Sequence, residues 1–284
     1  MTYHRLALIL GDCLFPHHDA LAPDEGTLFY MAEDRDLCTH FQYHKQKLVL
    51  FLSAMRSHRD VIRESWSVTY VQIDEQTDLS FEDKLAKVLD SHSQITELVT
   101  YEIEDRFFAE RIEAFCENRG LTLAMAQSPK FISTREDFEA YDQKARRPFM
   151  AKYYEKQRQK LQVLVEADGS PVYGQWSFDE DNRKKLPKGV SIPSQPSAKP
   201  TDHTLAVTKT VSEMFSDHPG SLDNFNWATT RDQAVARLDL FLKERFDQFG
   251  PYEDAIDQQG VFLFHSVLSP YMNMGLLTPE EVVQ

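Results

Sequence analysis

The stretch RLALILGD, Arg5–Asp12, decides the fold. Its apolar run is too short to cross a bilayer and is followed by no small-residue cleavage site, so it reads as a buried strand and not as a signal peptide. Arg5–Leu10 forms the strand, and Gly11-Asp12 ends it. Outward from it, apolar runs alternate with amphipathic ones. Thr27–Met31 (TLFYM), Val68–Ile73 (VTYVQI), Glu97–Tyr101 (ELVTY) and Leu121–Ala126 (LTLAMA) read as further strands, Val68–Ile73 being rich in β-branched and aromatic residues. Between them, His44–His58 repeats Leu48, Leu52 and Met55 at helical spacing. Phe81–Leu89 sets Phe81, Leu85 and Val88/Leu89 on one face. Asp105–Asn118 runs to Gly120, a C-cap. Strands alternating with helices predict a five-stranded, doubly wound parallel sheet, an α/β domain over residues 1–130.

The pattern then changes. Phe138–Val165 predicts a long charged helix containing KARR and YYEKQRQK. Glu166–Asp202 carries most of the Pro, Gly and Ser signals and reads as an irregular connector, so 131–205 is set apart as a linking region. From 206 to 284 only helices are expected. Thr230–Phe249 is a helix capped by Thr230, with Leu238, Phe241, Leu242, Phe246 and Phe249 on its apolar face and Gly250-Pro251 as its stop. Phe262–Leu277 opens another apolar helical segment. Thr278-Pro279-Glu280-Glu281 starts one more helix, with proline in the first turn and acids at the positive end. The chain stops about one turn later, which leads us to expect a fragment of a longer protein.

Composition narrows the function. The 284 residues carry 31 Lys+Arg against 45 Asp+Glu, a net charge of −14, which argues against a broadly basic nucleic-acid coat but leaves room for local basic patches. Two such patches stand out, Lys144–Arg147 and Arg183–Lys185. No run suits a membrane span, and three separated cysteines fit reduced thiols in a cytoplasmic protein. They cannot alone form a four-cysteine cluster, and no histidine pair has ligand spacing, so no metal site is expected. G-x-G-x-x-G, G-x-S-x-G and the P-loop pattern are all missing. Gly11-Asp12 is a tight turn with an acidic cap or the lip of a ligand cleft. Ser266 and Ser269, three apart, are caps of a core helix or donors to a phosphate.

Taken together, these motifs resemble the photolyase/cryptochrome flavoproteins. Ser266–Gly275 (SVLSPYMNMG) looks like the family's flavin-phosphate signature, with Tyr252 as its upstream tyrosine. LILGD near the start, HKQKLVLFLSAMR at 44–56, GQWSFDEDNRKKLP at 174–187, TRDQAVARLDLF at 230–241 and FGPYEDA at 249–255 resemble the prokaryotic iron–sulfur branch, which includes (6-4) photolyases. The resemblance implies FAD as cofactor, held by Tyr252, His265, Ser266, Leu268, Ser269 and Asn273, and UV-damaged DNA as substrate. It implies light-driven electron transfer to a flipped-out pyrimidine dimer. A blue-light photoreceptor and a non-catalytic remnant of the family are the alternatives.

On the strand assignment, Gly11, Asp12 and Glu33 line the cleft at the carboxyl ends of the sheet. The branch holds a lumazine antenna there through a glutamate, but Leu37 aligns with it. Glu33, Asp34 or Asp36 could replace that glutamate only with a shifted loop. The family's lesion-facing residues and cluster cysteines lie in a second half, so the remainder of the polypeptide is the expected partner. This chain alone is expected to be inactive and to contain no catalytic residue.

Overall fold

The computed structural model describes residues 2–22, 24–74, 79–258 and 260–284. They form two compact units, each drawn from separate parts of the chain: residues 1–130, 196–237 and 268–284 in the first, and 131–195 and 238–267 in the second. Among the described residues, no helix is long and apolar enough to cross a membrane.

The first unit holds the predicted sheet. Strands β1 (Arg5–Leu8), β2 (Thr27–Ala32), β3 (Val68–Val71), β4 (Glu97–Tyr101) and β5 (Thr122–Ala126) stand in the order β3-β2-β1-β4-β5. Every pairing is parallel, and Leu6 lies beside both Leu28 and Leu98. The order reverses beside β1, which opens a crevice at the carboxyl ends. Residues of alternating parity serve opposite faces. Leu6, Leu8, Leu28 and Tyr30 join a core with helices α3 (Phe81–Ser91) and α4 (Arg106–Arg119). On the other face, Phe29 meets Trp66 with ring centroids 5.5 Å apart.

Local signals explain these helices. Ser80 and Asp83 cap α3 reciprocally, and Gly120 ends α4 in the left-handed conformation, with φ 66°. The sequence reading did not include the short α1 (Arg35–Thr39), which Asp34 caps. The long α2 (Lys45–Arg63) buries Leu48, Leu52 and Met55 as expected, and also Arg56 and His58. Against α2 packs α7 (Asp202–Met214), through buried Val207 and Val211.

Three expectations need correction. Phe138–Val165 is two helices, α5 (Arg135–Asp142) and α6 (Met150–Leu161). Pro148, which disfavours helical backbone at Arg147, lies in the break between them. Gly250-Pro251 does not stop a helix. The helix breaks earlier, between α8 (Arg231–Glu244) and α9 (Phe246–Tyr252), and Pro251 lies inside α9. At the break, Arg245 is buried and its guanidinium donates to the Ser194 carbonyl at 2.5 Å, a tertiary contact that overrides local propensity. Of the expected apolar face, Phe241 is buried while Leu242 and Phe246 are exposed.

Phe262–Leu277 is not one helical segment either. Leu263 and Val267 have φ of 45° and 56°, which helical backbone excludes. Only α10 (Ser269–Met274) is helical, followed by the expected helix start at Thr278, where Thr278 and Glu281 form a capping box on α11 (Pro279–Val283). Gly275 is required at the end of α10: its φ is 81°, and a Cβ there would lie 2.7 Å from the Phe15 ring.

Beside the sheet, His18 and His58 face each other with Nε2 atoms 2.8 Å apart, and His18 Nδ1 lies 3.2 Å from the Tyr101 hydroxyl. Burial and the His58 neighbour pull His18 down to about 3, and burial pulls His58 down to about 4. Unfolding returns both to about 6.5. Their contribution to stability is complete above the unfolded value and is lost as pH falls toward the folded ones. The unfolding free energy from urea titration is therefore expected to drop between about pH 6.5 and 4, by about 1.4 kcal/mol per pH unit for each titrating histidine. His58→Gln keeps a polar group there without a titration. A variant with as steep a pH dependence as the parent would show that the pair is not responsible.

Candidate functional site

The crevice beside β1 is a cavity of about 290 Å³ in the first unit. Gly11, Asp12 and Glu33 line it, together with Leu37, Cys38 and Lys47. Gly11 lets the backbone come close to α2: a Cβ there would sit 2.9 Å from the Met55 sulfur. Asp12 is paired with Lys130.

Glu33 lines the cavity, but its carboxylate is fully engaged. Oε1 accepts from Arg56 Nε at 2.6 Å and from the Tyr70 hydroxyl at 2.6 Å. Oε2 accepts from Arg56 Nη2 at 2.9 Å and from the Ile73 backbone N–H at 2.9 Å. Burial opposes the Arg56 charge, but the bonds and field of Glu33 outweigh it and raise its pKa. Burial, with the adjacent Glu33 charge, pushes the Tyr70 phenol well up, so it stays a donor. Asp34 is likewise occupied, taking Lys84 Nζ at 2.7 Å and the Leu37 N–H at 3.1 Å. Two carboxylates that could have replaced the glutamate at Leu37 are thus committed inside the protein. The third, Asp36, is exposed on α1.

What remains in the cavity is largely aromatic, with the charged Lys47 and Asp105 among its lining. Lys47 Nζ lies 4.3 Å from the Tyr43 ring centroid and 5.8 Å from that of Phe51. Phe107 is stacked on His40, with centroids 4.4 Å apart and planes 2° apart. Such walls suit a flat ring system. They offer no activated nucleophile. Burial, reinforced by Glu33 and Asp34, pushes the Cys38 thiol up to about 12, and burial holds Cys13 well above its ordinary range. Among the described residues, no group of three or more His, Cys, Asp or Glu is placed to hold a metal ion.

The residues assigned to FAD divide between the two units. Tyr252, His265 and Ser266 belong to the second. There the Tyr252 ring lies 5.9 Å from that of Phe264, and His265 Nδ1 accepts from the Val267 N–H at 2.9 Å. Leu268, Ser269 and Asn273 belong to the first. Leu268 is buried, and its carbonyl accepts from Tyr271 and Met272. Ser269 and Asn273, four residues apart on α10, are both exposed on one side of that helix. Among the described residues, neither the Ser266 nor the Ser269 hydroxyl has a partner.

The sequence reading missed Arg56, Tyr70 and Lys47. Arg56 did leave a signal: an arginine next to Met55 and four after Leu52 stands at the edge of a buried helix face, where a charge requires an acid.

A doubly wound parallel sheet with a cleft at its switch point defines an α/β domain of the kind whose ligands, where it has them, sit at that point. The chain belongs to the deoxyribodipyrimidine photo-lyase-related protein family, whose model matches residues 7–227. It is 30% identical over 282 residues to a (6-4) photolyase of Agrobacterium fabrum (strain C58 / ATCC 33970), an alignment covering 98% of this chain and 55% of that one. It is 25% identical over 173 residues to an uncharacterized protein of Acanthamoeba polyphaga mimivirus, covering 59% of this chain and 83% of that one. A bacterial class III photolyase from Agrobacterium tumefaciens has a similar fold, with a TM-score of 0.53 at 12% identity over 99% of this chain and 52% of that structure. The chain therefore spans about half the length of the photolyases it matches.

Glu33 and Arg56 have side chains 0% and 5% exposed. Glu33→Ala would leave the guanidinium buried and unpaired, and is expected to cost about 3–5 kcal/mol of stability by urea unfolding. Glu33→Gln, which keeps the shape but removes the charge, should cost less. A loss below about 1 kcal/mol for Glu33→Ala would show the pair to be dispensable.

Proposed function

We infer that this chain serves a flavin-dependent, light-driven photolyase that repairs UV-induced pyrimidine dimers in DNA, of the (6-4) type. The observation that carries the reading is the 30% identity to a (6-4) photolyase along nearly the whole chain. In this reading residues 1–130 are the antenna-type α/β domain, 131–205 the connector and 206–284 the start of a helical FAD-binding domain, and the protein works in the cytoplasm. When bound, FAD supplies the light-driven electron.

The chain's own contribution is to bind and orient. Ser266 and Ser269 would donate to phosphate oxygens, and Tyr252 and His265 would flank the cofactor. Leu268 would pack beneath it, with Asn273 as a further contact. The cleft around Phe51 and Phe107 would receive a planar antenna. A lumazine there would meet Leu37 where the branch has its glutamate, with Glu33 and Asp34 already bound within the protein.

The test is a chimera in which this chain replaces the matching half of the (6-4) photolyase, purified in the dark. We expect it to be yellow and to repair (6-4) lesions under blue light, while the isolated chain stays colourless. Ser266→Ala/Ser269→Ala in the chimera should weaken FAD retention by roughly 10–100-fold. A yellow chimera without repair would favour a photoreceptor. A folded but colourless one would defeat the flavin assignment.

A further inference from the structure

The second unit carries a groove that the cofactor reading does not use. It is about 780 Å³, lies between α5 and the start of α6, and is lined by Tyr141, Arg146, Arg147, Phe149, Lys152 and Lys156. Of the two basic runs in the sequence, the other is largely neutralised. Arg183 Nε lies 3.3 Å from Asp254, and Lys184 Nζ lies 3.4 Å from Asp181. At the groove the balance differs. Arg146 and Arg147 are exposed and have no ion-pair or hydrogen-bond partner among the described residues. Lys156 is held over the Tyr141 ring, 4.9 Å from its centroid, and only Lys152 meets an acid, Glu155 at 2.9 Å.

The cations sit on a fixed frame. The Tyr141 hydroxyl accepts from the Phe149 N–H and donates to the Phe149 carbonyl, both at 3.0 Å, which joins the end of α5 to the beginning of α6. Lys160 reaches back to Asp137 at 2.5 Å, and Ser133 donates to Gln157 at 2.8 Å. Above this frame Phe149 is 63% exposed, a large apolar ring set in water among unpaired positive charges. An acidic peptide would neutralise the cations but has no routine use for the ring. A nucleic-acid strand supplies evenly spaced anions and, between them, flat bases that stack on aromatic rings. In a duplex those bases are stacked on one another, whereas in a single strand they are free.

We propose that this groove binds the backbone of a single-stranded nucleic acid, with an unpaired base resting on Phe149. The proposal extends the DNA-repair reading by giving it a second contact surface for its substrate. It is tested on undamaged strands in the dark, so its outcome does not depend on flavin binding or repair.

The experiment is fluorescence anisotropy of the full chain with labelled oligothymidylate across a salt series. Affinity should fall with salt, with a log–log slope of about −2 to −3 for three or four neutralised phosphates. Arg146→Glu/Arg147→Glu should weaken binding at least tenfold and flatten the slope by about 1.4. Phe149→Ala should weaken it about five- to tenfold with the slope unchanged, because stacking releases no counterions. Arg183→Glu/Lys184→Glu should change it less than about twofold. Unchanged far-ultraviolet circular dichroism would establish that each variant folds. The proposal is overturned if charge reversal at 146 and 147 leaves affinity intact, or if the Arg183/Lys184 pair carries the effect. It is equally overturned if Phe149→Ala has no effect, or if the chain prefers duplex DNA or phosphatidylserine vesicles to the single strand.

Discussion

The first unit is organised around one buried charge. Glu33 sits where β2 ends, and its two oxygens take donors from α2, from Tyr70 on β3 and from the backbone at Ile73. A carboxylate in that position without donors would be expelled or protonated. With four donors it fixes the positions of β2, α2 and β3 relative to one another. The adjacent Asp34 repeats the device toward α3 through Lys84, with both side chains 1% exposed. Hydrophobic packing is non-directional, and these pairs add the orientation it lacks. The cleft exists because its walls are held apart at the right distance by groups that have no further valence to offer.

That arrangement explains how far the sequence could be read. The five strands were legible because each is a short, largely apolar run between amphipathic or turn segments, with β-branched and aromatic residues concentrated in Val68–Val71. Parallel order followed from the helices between them. Glu97–Tyr101 is β4 to the residue: Leu98, Val99 and Tyr101 are its apolar positions, and polar residues stand on either side at Thr96 and Glu102. The errors lie where tertiary contact competes with local preference. Arg245 leaves the helix that its neighbours favour because its guanidinium is buried against Ser194. Gly250-Pro251 then falls in the last turn of α9, which ends one residue later at Tyr252. Apolar spacing over Phe262–Leu277 looked helical because burial alone is periodic there. Leu263, Phe264, Leu268 and Tyr271 are all buried, but by a chain that reverses through left-handed residues.

The candidate sites were legible in a different sense. Sheet topology places Gly11, Asp12 and Glu33 on the cleft without any knowledge of side-chain partners. It could not reveal that Glu33 is spent, because the groups that consume it, Arg56, Tyr70 and Ile73, lie 23 to 40 residues away in sequence. A carboxylate beside a ligand cleft is not by itself a ligand. Its remaining hydrogen-bonding capacity decides, and that capacity is a property of the folded neighbourhood.

Charge follows the same logic. A chain with net charge −14 repels polyanions at long range, yet repulsion between exposed charges fades within a screening length of about 8–10 Å. Inside that distance the local set of unpaired groups governs. Arg183 and Lys184 count as basic in the composition but have their acids within 3.4 Å. Arg146 and Arg147 lie between α5 and α6, exposed and with no ion-pair partner among the described residues, so no neighbouring acid cancels their field at contact distance. A chain with net negative charge discourages indiscriminate adhesion to nucleic acid, while a locally uncompensated basic groove keeps short-range attraction where it lies. A partner that approaches there must overcome the global field first, so contact is favoured only where the anions and an apolar group arrive together, which is the combination that Phe149 among free arginines provides.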